Sequence, residues 1–512
     1  MSHIEAAPTP AIAGAGKLII TLSVIAATVM QSLDTTIANV ALPHMQGALA
    51  GTQEQMGWVL TSYIVGAAIT IPLTGWLANV VGKRRILLTS ILLFTLTSLL
   101  CGMATNLPQL VLYRFLQGVG GAALVPLSQA VLLDINEPAD FGRAMAMWAG
   151  AAQLGSIVGP ALGGWLTEQF DWRWVFFINL PIGVLAFLGL LTFTERPTAA
   201  ARSRFDFMGF ATLSLALAAF QVMLDRGQQL DWFSSPEICI EALVAAIGFY
   251  VFLVHMFTTD KPFVNPGLFK DANYVASIVF IFLIGLVLFA TLALMPPLLS
   301  NEFQYPVVLT GLVMAPRGIG TLTGMILVNR LIAWTDARAV IAAGLVIMAF
   351  SLWQMTQFSP DMSYGPIIIS GLIQGFGVSL VYAPVSTVAF SSLTSSLRAE
   401  GTSLFNLTRN IGSSVGISVV NFMLTRNTQT AHASLTETAR LPGVDAAATA
   451  IASSSPVPMG LEGWNDLITQ QGAFIAYLDD FKLMMVLTLA TLPAVFILRS
   501  RRAGAGGHVV LD

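Results

Sequence analysis

The sequence predicts an all-α integral membrane protein of about fourteen transmembrane helices, arranged as two six-helix bundles with two helices inserted between them. Three observations carry this prediction. Charged residues make up only 10% of the 512 residues and hydrophobic ones 55%, with a mean hydropathy of +0.76. Soluble domains average about 25% charge, and a soluble surface cannot be built from so little. About fourteen apolar runs are long enough to cross ~30 Å of hydrocarbon, and two motifs recur at a single offset along the chain. The formal net charge of -3 argues against nucleic acid as a partner. The two cysteines, Cys101 and Cys239, form neither a disulfide framework nor a metal cluster.

The first eight runs lie near 18–42, 56–78, 86–104, 108–133, 144–166, 174–193, 207–224 and 237–257. Six more follow near 274–299, 308–331, 339–356, 364–391, 401–424 and 480–498. Several contain Gly and Pro, which neighbouring membrane helices tolerate. Lys17 opens a first run too long for a signal-peptide core, so it is read as an uncleaved helix. With the N-terminus placed in the cytoplasm, sixteen of the 24 Lys and Arg fall on the inner side and four on the outer. That excess puts both termini in the cytoplasm. The expected organisation is a cytoplasmic tail at 1–17, a six-helix bundle at 18–195 and two linker helices at 196–272. A second bundle at 273–498 and a cytoplasmic tail at 499–512 complete it. The second bundle includes an Ala-, Ser- and Thr-rich outer loop at 425–479.

The bundles follow from the repeat. LQGVGGAALVPLS in the fourth run and IQGFGVSLVYAPVS in the twelfth place Gln117 and Gln374 257 residues apart. GSIVG at Gly155 to Gly159 and GSSVG at Gly412 to Gly416 share the same offset of 257. Two homologous halves around a midplane site are the signature of secondary transporters. Glycines four apart let helices approach closely. Pro160, Gly163 and Gly164 add a place where the fifth helix can bend.

Ionisable residues inside spans are costly, and are functional candidates by default. Asp34 lies about 25 Å along the first helix from Lys17, and Arg114 about 9 Å into the fourth from Pro108. The two share a depth and are able to meet, as a structural ion pair or as a proton-linked switch. Arg317 and Arg409 lie nearer the midplane of the second half, and Gly371 stands at the repeat position of Arg114. These three arginines would make a shared cavity positive. Glu241 and His255 are read as interfacial. No GxxxxGK[ST], HExxH or GxSxG motif is present, so no site for ATP hydrolysis, zinc or serine chemistry is expected. A membrane enzyme would show clustered acid/base or metal ligands, and a sensor would carry a soluble output domain. The sequence has neither.

Several motifs resemble the major facilitator superfamily. They are GWLANVVGKRR (Gly75 to Arg85), LYRFLQGVGGA (Leu112 to Ala122) and GSIVGPALGG (Gly155 to Gly164), the last resembling the antiporter motif of exporters. LDTTIANVALP (Leu33 to Pro43) is similar to the first-helix motif of the fourteen-helix drug:proton antiporters. WRWVFFINLPIG (Trp172 to Gly183) and LDRGQQLDWFSS (Leu224 to Ser235) resemble the EmrB-type multidrug efflux branch. Asn79 departs from the loop motif, which usually has Asp there.

The resemblance implies a major facilitator fold and an inner-membrane permease driven by the proton gradient, with no cofactor and no resident metal. It implies a periplasmic membrane-fusion adaptor of the EmrA type and a TolC-type outer-membrane channel as partners, with adaptor contact at 425–479. Asp34 and Arg114 would couple protons; Gly155, Gly159, Pro160, Gly163 and Gly164 would form the antiporter hinge; Gly75, Gly82, Lys83 and Arg84 would gate the cytoplasmic side. Asp34, Gln117, Arg317, Gln374 and Arg409 are the expected substrate-cavity residues. The expected function is proton-driven export of hydrophobic or amphipathic drugs, with a dedicated metabolite or siderophore exporter as the alternative.

Overall fold

The computed structural model describes residues 14–51, 53–137, 140–192, 205–260, 262–391, 393–439 and 461–498. Residues 1–13 of the expected tail at 1–17, the expected tail at 499–512 and the middle of the expected outer loop at 440–460 lie outside the described residues, while 14–17 already belong to the first helix. Helix covers each of the fourteen apolar runs. The first six are α1 Gly14–Leu49, α2 Gln53–Val81, α3 Lys83–Gly102, α4 Leu107–Gly121 continued by Leu124–Ile135, α5 Phe141–Gln169, and α6 Trp174–Phe177 with Asn179–Leu191. Next come α7 Phe207–Arg226 and α8 Pro236–Thr258. The second half holds α9 Ala272–Pro297, α10 Val307–Met314 with Pro316–Trp334, α11 Ala337–Met355, α12 Tyr364–Ser391, α13 Ser395–Ala439 and α14 Leu461–Ala490. Eleven helices among the described residues pass as membrane spans on length and hydropathy. The α5, α13 and α14 helices do not: α5 is rich in Gly, α13 in Ser, Thr and Asn, and the apolar stretch of α14 carries Asp479, Asp480 and Lys482.

The ends and breaks have local causes. Asn106 caps α4 by accepting the Gln109 N–H at 3.0 Å, and Asp271 caps α9 through the Asn273 N–H at 2.8 Å. Pro181 and Pro316 each lack the N–H that would bond the carbonyl four residues back, and α6 and α10 are interrupted just there. Pro296 and Pro297 end α9 in a π turn at Leu298–Glu302. Gly82 joins α2 to α3 at φ 102°, a conformation only glycine adopts without strain.

The expected outer loop is corrected. The α13 helix continues to Ala439 and α14 begins at Leu461, so 425–439 and 461–479 are helical. The two helices pack side by side, with His432 Nε2 and Asn465 Oδ1 3.1 Å apart.

The inserted helices α7 and α8 pack on each other, and α7 lies along α2 and α13. The Ser418 hydroxyl of α13 donates to the Leu224 carbonyl of α7 at 3.0 Å. Glu241 lies 4.0 Å from Arg226, and His255 bonds Asp206 at 2.8 Å, so each finds a partner at a helix end. Burial alone would raise the Asp206 carboxyl. Hydrogen bonds from the Gly209 N–H, His255 and the Phe263 N–H nonetheless hold it below the usual carboxylate range. Its ionised form, and with it the tie between α7, α8 and the segment after α8, therefore persists down to acidic pH.

Candidate functional site

One polar cluster sits inside the first half. Asp34 on α1 is 1% exposed. Its Oδ2 accepts from Arg114 Nη1 at 2.6 Å, and its Oδ1 accepts from Gln117 Nε2 at 2.8 Å and from Asn179 Nδ2 at 2.9 Å. Three donors converge on one carboxylate, the pattern that an acceptor-only group satisfies.

Arg114, also 1% exposed, is held as fully. Its Nε donates to the Val59 carbonyl at 3.1 Å and its Nη1 to Gln117 Oε1 at 2.8 Å. The guanidinium carbon lies 4.5 Å from the Tyr63 ring centre and 5.6 Å from that of Phe176. A buried ion pair is tolerated when its remaining donors and lone pairs are met in this way. Thus α1, α2, α4 and α6 meet at Asp34. Equal depth in the sequence was the signal for Asp34 and Arg114. Asn179, Val59, Tyr63 and Phe176 were not foreseen; Asn179 stood in a quoted motif without a role.

The glycine stripe of α5 lies against the helix that carries Asp34. A Cβ at Gly155 would sit 3.0 Å from Ser32 Cβ, and one at Gly163 3.2 Å from the Ile37 carbonyl oxygen. One at Gly159 would collide with Thr36 Oγ1. Gly164 is buried and Pro160 lies within the continuous helix Phe141–Gln169. The repeat is kept in space, because Cβ atoms at Gly412 and Gly416 of α13 would strike the Phe282 and Leu286 carbonyls of α9. Gly159→Ala is expected to cut transport about five- to a hundredfold, since a forced shift of a packed helix costs ~1–3 kcal/mol. Adding Thr36→Ala should recover part of it. Transport at matched membrane abundance is the measurement, and no recovery in the double variant would mean that this contact is not the cause.

The two halves meet toward the end where Lys83 sits. Asp134 at the end of α4 accepts from Lys83 Nζ at 2.5 Å and from Arg398 Nη1 of the second half at 3.1 Å. The Thr74 and Ser403 hydroxyls lie 2.7 Å apart, Asn406 donates to Gln129, and a Cβ at Gly75 would lie 2.8 Å from Glu400 Cα. Trp148 stacks on Tyr382 with ring centres 6.3 Å apart. Gly75 and Lys83 thus lie at this contact, as Gly82 does through the turn it makes. Arg84 is placed differently, its Nη2 donating to the Leu191 carbonyl of the same half at 2.7 Å. The expected gate left out Asp134 and Arg398, which join Lys83 to the second half.

The single cavity lined by Asp34, Gln117, Arg317, Gln374 and Arg409 is corrected, because the structure distributes these residues over three places. Asp34 and Gln117 are sealed in the first half, where every bond above keeps them. Gln374, 0% exposed, faces Thr291 at 3.4 Å inside the second half. Arg317 is 4% exposed against Gly371 and Gly375, with Nε and Nη2 unpartnered. Arg409 alone sits near the seam, 3.4 Å from the hydroxyl of Tyr382. The second half is not a copy of the first: its arginine comes from α10, where Leu60 stands in the repeat, and the Arg317 Cβ lies beside Gly371, which stands at the position of Arg114. Among the described residues, no group of His, Cys, Asp and Glu is arranged to hold a metal ion.

The architecture has known counterparts. A proton:xylose symporter, XylE, superposes with a TM-score of 0.61 over 94% of this chain and 96% of its own, at 13% identity. A human organic anion transporter, MFSD10, gives 0.57 over 92% and 99%, at 14% identity. These likenesses speak to fold alone. In sequence, the chain is 35% identical to the multidrug export protein EmrB of Escherichia coli (strain K12) over 499 residues, covering 96% of this chain and 98% of that one. It is 34% identical to the fatty acid resistance protein FarB of Neisseria gonorrhoeae over 506 residues, covering 98% and 99%. The family model of the Major Facilitator Superfamily matches residues 24–417. The halves related by a 257-residue offset, the paired glycine stripes and these matches agree: this multi-pass membrane protein is a transporter, not an enzyme, and belongs to the major facilitator superfamily.

Proposed function

We propose that the protein exports hydrophobic and amphipathic drugs across the bacterial inner membrane in exchange for protons, with both termini in the cytoplasm. The observation that carries this reading is the sealed Asp34–Arg114 pair, set on the helix that packs against the α5 glycines. A proton reaching Asp34 removes the charge that holds Arg114, Gln117 and Asn179. The α1 helix is then released from its present register with α4 and α6, and the α5 stripe is the surface along which it shifts. Alternation of the halves requires such a two-state element. Drug export is supported by the relatives of Escherichia coli and Haemophilus influenzae, which are named multidrug export proteins. The test is proton release on drug addition to inside-out membrane vesicles energised by a pH gradient. Drug accumulation that survives collapse of that gradient would defeat the reading.

We further propose that it works as the permease of a tripartite pump with a membrane-fusion adaptor and an outer-membrane channel. The paired helices α13 and α14 extend well past the length needed to span, giving such an adaptor a rigid post. Deleting 441–460 is expected to leave the membrane bundle folded and to lower crosslinking to the adaptor. Unchanged crosslinking and unchanged whole-cell resistance would make this segment a spacer.

A second reading, a dedicated exporter of acidic lipophiles, is favoured by the unpartnered guanidinium nitrogens of Arg317. The fatty acid resistance relative supports it further. Buried positive charge favours ligands of opposite sign. Lipophilic weak acids and neutral amphiphiles should therefore be exported better than dications of similar size. Arg317→Gln and Arg409→Gln should each shift the acid-to-dication ratio toward the dication. A wild-type preference for the dication, or a ratio unmoved by both changes, would remove the charge argument.

A further inference from the structure

The second half carries a buried carboxylate that the first-half mechanism does not use. Asp480 on α14 is 0% exposed, and neither Oδ1 nor Oδ2 has a hydrogen-bond partner. It sits among apolar core side chains: Tyr477, Phe481 and Met484 on its own helix are 4% exposed or less. Phe358 stacks edge-on against Phe481 at 6.2 Å.

The charged and titratable neighbours are few. Asp479 precedes it, Lys482 follows two positions on and points outward, and Tyr477 lies within the electrostatic reach of both Asp480 and Glu302. On the helices packed against α14, His432 of α13 bonds Asn465, far up the helix. Arg409 lies at Tyr382, and Arg338 and Tyr274 begin α11 and α9 at the opposite end from Asp480. Among the described residues, no Lys, Arg or His forms an ion pair with Asp480.

The repeat gives this position a meaning. In the first half, Asn179 on the last helix follows buried Phe176 by three residues and holds Asp34 on the first helix. In the second half, Thr291 stands at the position of Asp34, and Asp480 on the last helix follows buried Tyr477 by three residues. The second half therefore has its buried carboxylate on its last helix and not on its first, and Gly371 stands where the first half has Arg114. An ionised carboxylate with no protein donor is far costlier to bury among apolar side chains than a neutral carboxyl.

We propose that Asp480 is a second proton-binding site of the transporter. It is filled in the conformation described, where the halves are joined by Asp134 to Arg398 and by Thr74 to Ser403, and it is emptied when those contacts open. Its use in the transport cycle rests on the proton-exchange reading; its occupancy by a proton does not.

Infrared spectroscopy of the reconstituted full-length protein reads that occupancy without any drug. A protonated-carboxyl band is expected near neutral pH, with the intensity of one carboxyl per chain lost in Asp480→Asn and retained in Asp34→Asn. An unchanged band in Asp480→Asn would overturn the proposal. To tie the proton to the conformation, Thr74→Cys and Ser403→Cys are crosslinked. The joined protein should keep the Asp480 band to a more alkaline pH than the same protein after reduction. Coincident titrations would overturn the claim that opening empties the site. Drug transport that fails to follow the proton gradient while both infrared results hold would sink the proton-exchange reading and leave Asp480 as a proton site.

Discussion

Asp34→Asn is expected to abolish proton-driven drug transport while leaving the protein in the membrane. The substitution keeps nearly the same volume but turns one acceptor into a donor. Arg114, Gln117 and Asn179 all point donors at this side chain, so the new amide must face one of them donor to donor. It also leaves the guanidinium of Arg114 without its counter-charge, and removing one partner of a buried pair costs about 3–5 kcal/mol. The fold should survive, because Arg114 keeps the Val59 carbonyl, Gln117 and two aromatic rings. Gradient-driven efflux in vesicles, beside drug binding to the purified protein, is the measurement. Binding should remain and efflux should vanish. Efflux at the wild-type rate would take Asp34 out of the mechanism.

The membrane fold was legible because its signal is collective. Twenty consecutive apolar residues need no partner to be read, and a repeat of motifs needs only counting. The Asp34–Arg114 pair was legible for the same reason, as two charges at one depth. What escaped were features whose meaning depends on a partner. Asn179 is neutral and becomes informative only when α6 brings it to Asp34. Asp134 and Arg398 lie 264 residues apart and look like ordinary end-of-helix charges until the halves meet. Asp480 begins an apolar run, where a carboxylate usually reaches water, but the core formed with Phe358 and Tyr477 closes over it. The helix past 424 was missed because its sequence, with Asn, Thr, Ser and His, has no long apolar run. Its helicity comes from packing beside α14, and that is invisible until both segments are in place. Arg317 was read correctly as a span arginine, yet its placement against Gly371 follows from a trade between neighbouring helices that a linear repeat conceals.

Arg114→Lys is expected to reduce transport on the order of ten- to a hundredfold, although charge is conserved. The wild-type guanidinium holds three acceptors at once: Asp34, the Gln117 carbonyl oxygen and the Val59 carbonyl, at 2.6, 2.8 and 3.1 Å. Its planar face meanwhile lies 4.5 Å from the centre of the Tyr63 ring. A lysine brings one ammonium on a flexible stem. Turned to Asp34, it leaves the Val59 carbonyl and gives up the flat contact with Tyr63. Each hydrogen bond to a charged group is worth about 1.5–3 kcal/mol, and every 1.36 kcal/mol is a factor of about ten in rate. Loss of one such bond therefore gives the expected range. The deficit should appear in the coupled step, so drug binding should change less than gradient-driven efflux. A variant in which Gln117→Ala is combined with Arg114→Lys separates geometry from charge. If position 114 acts only as a point charge, the single Lys variant will transport like wild type and Gln117→Ala will add its own effect independently. If the fork matters, Lys alone will be impaired, and Gln117→Ala will lower transport further only by removing its own Nε2 bond to Asp34.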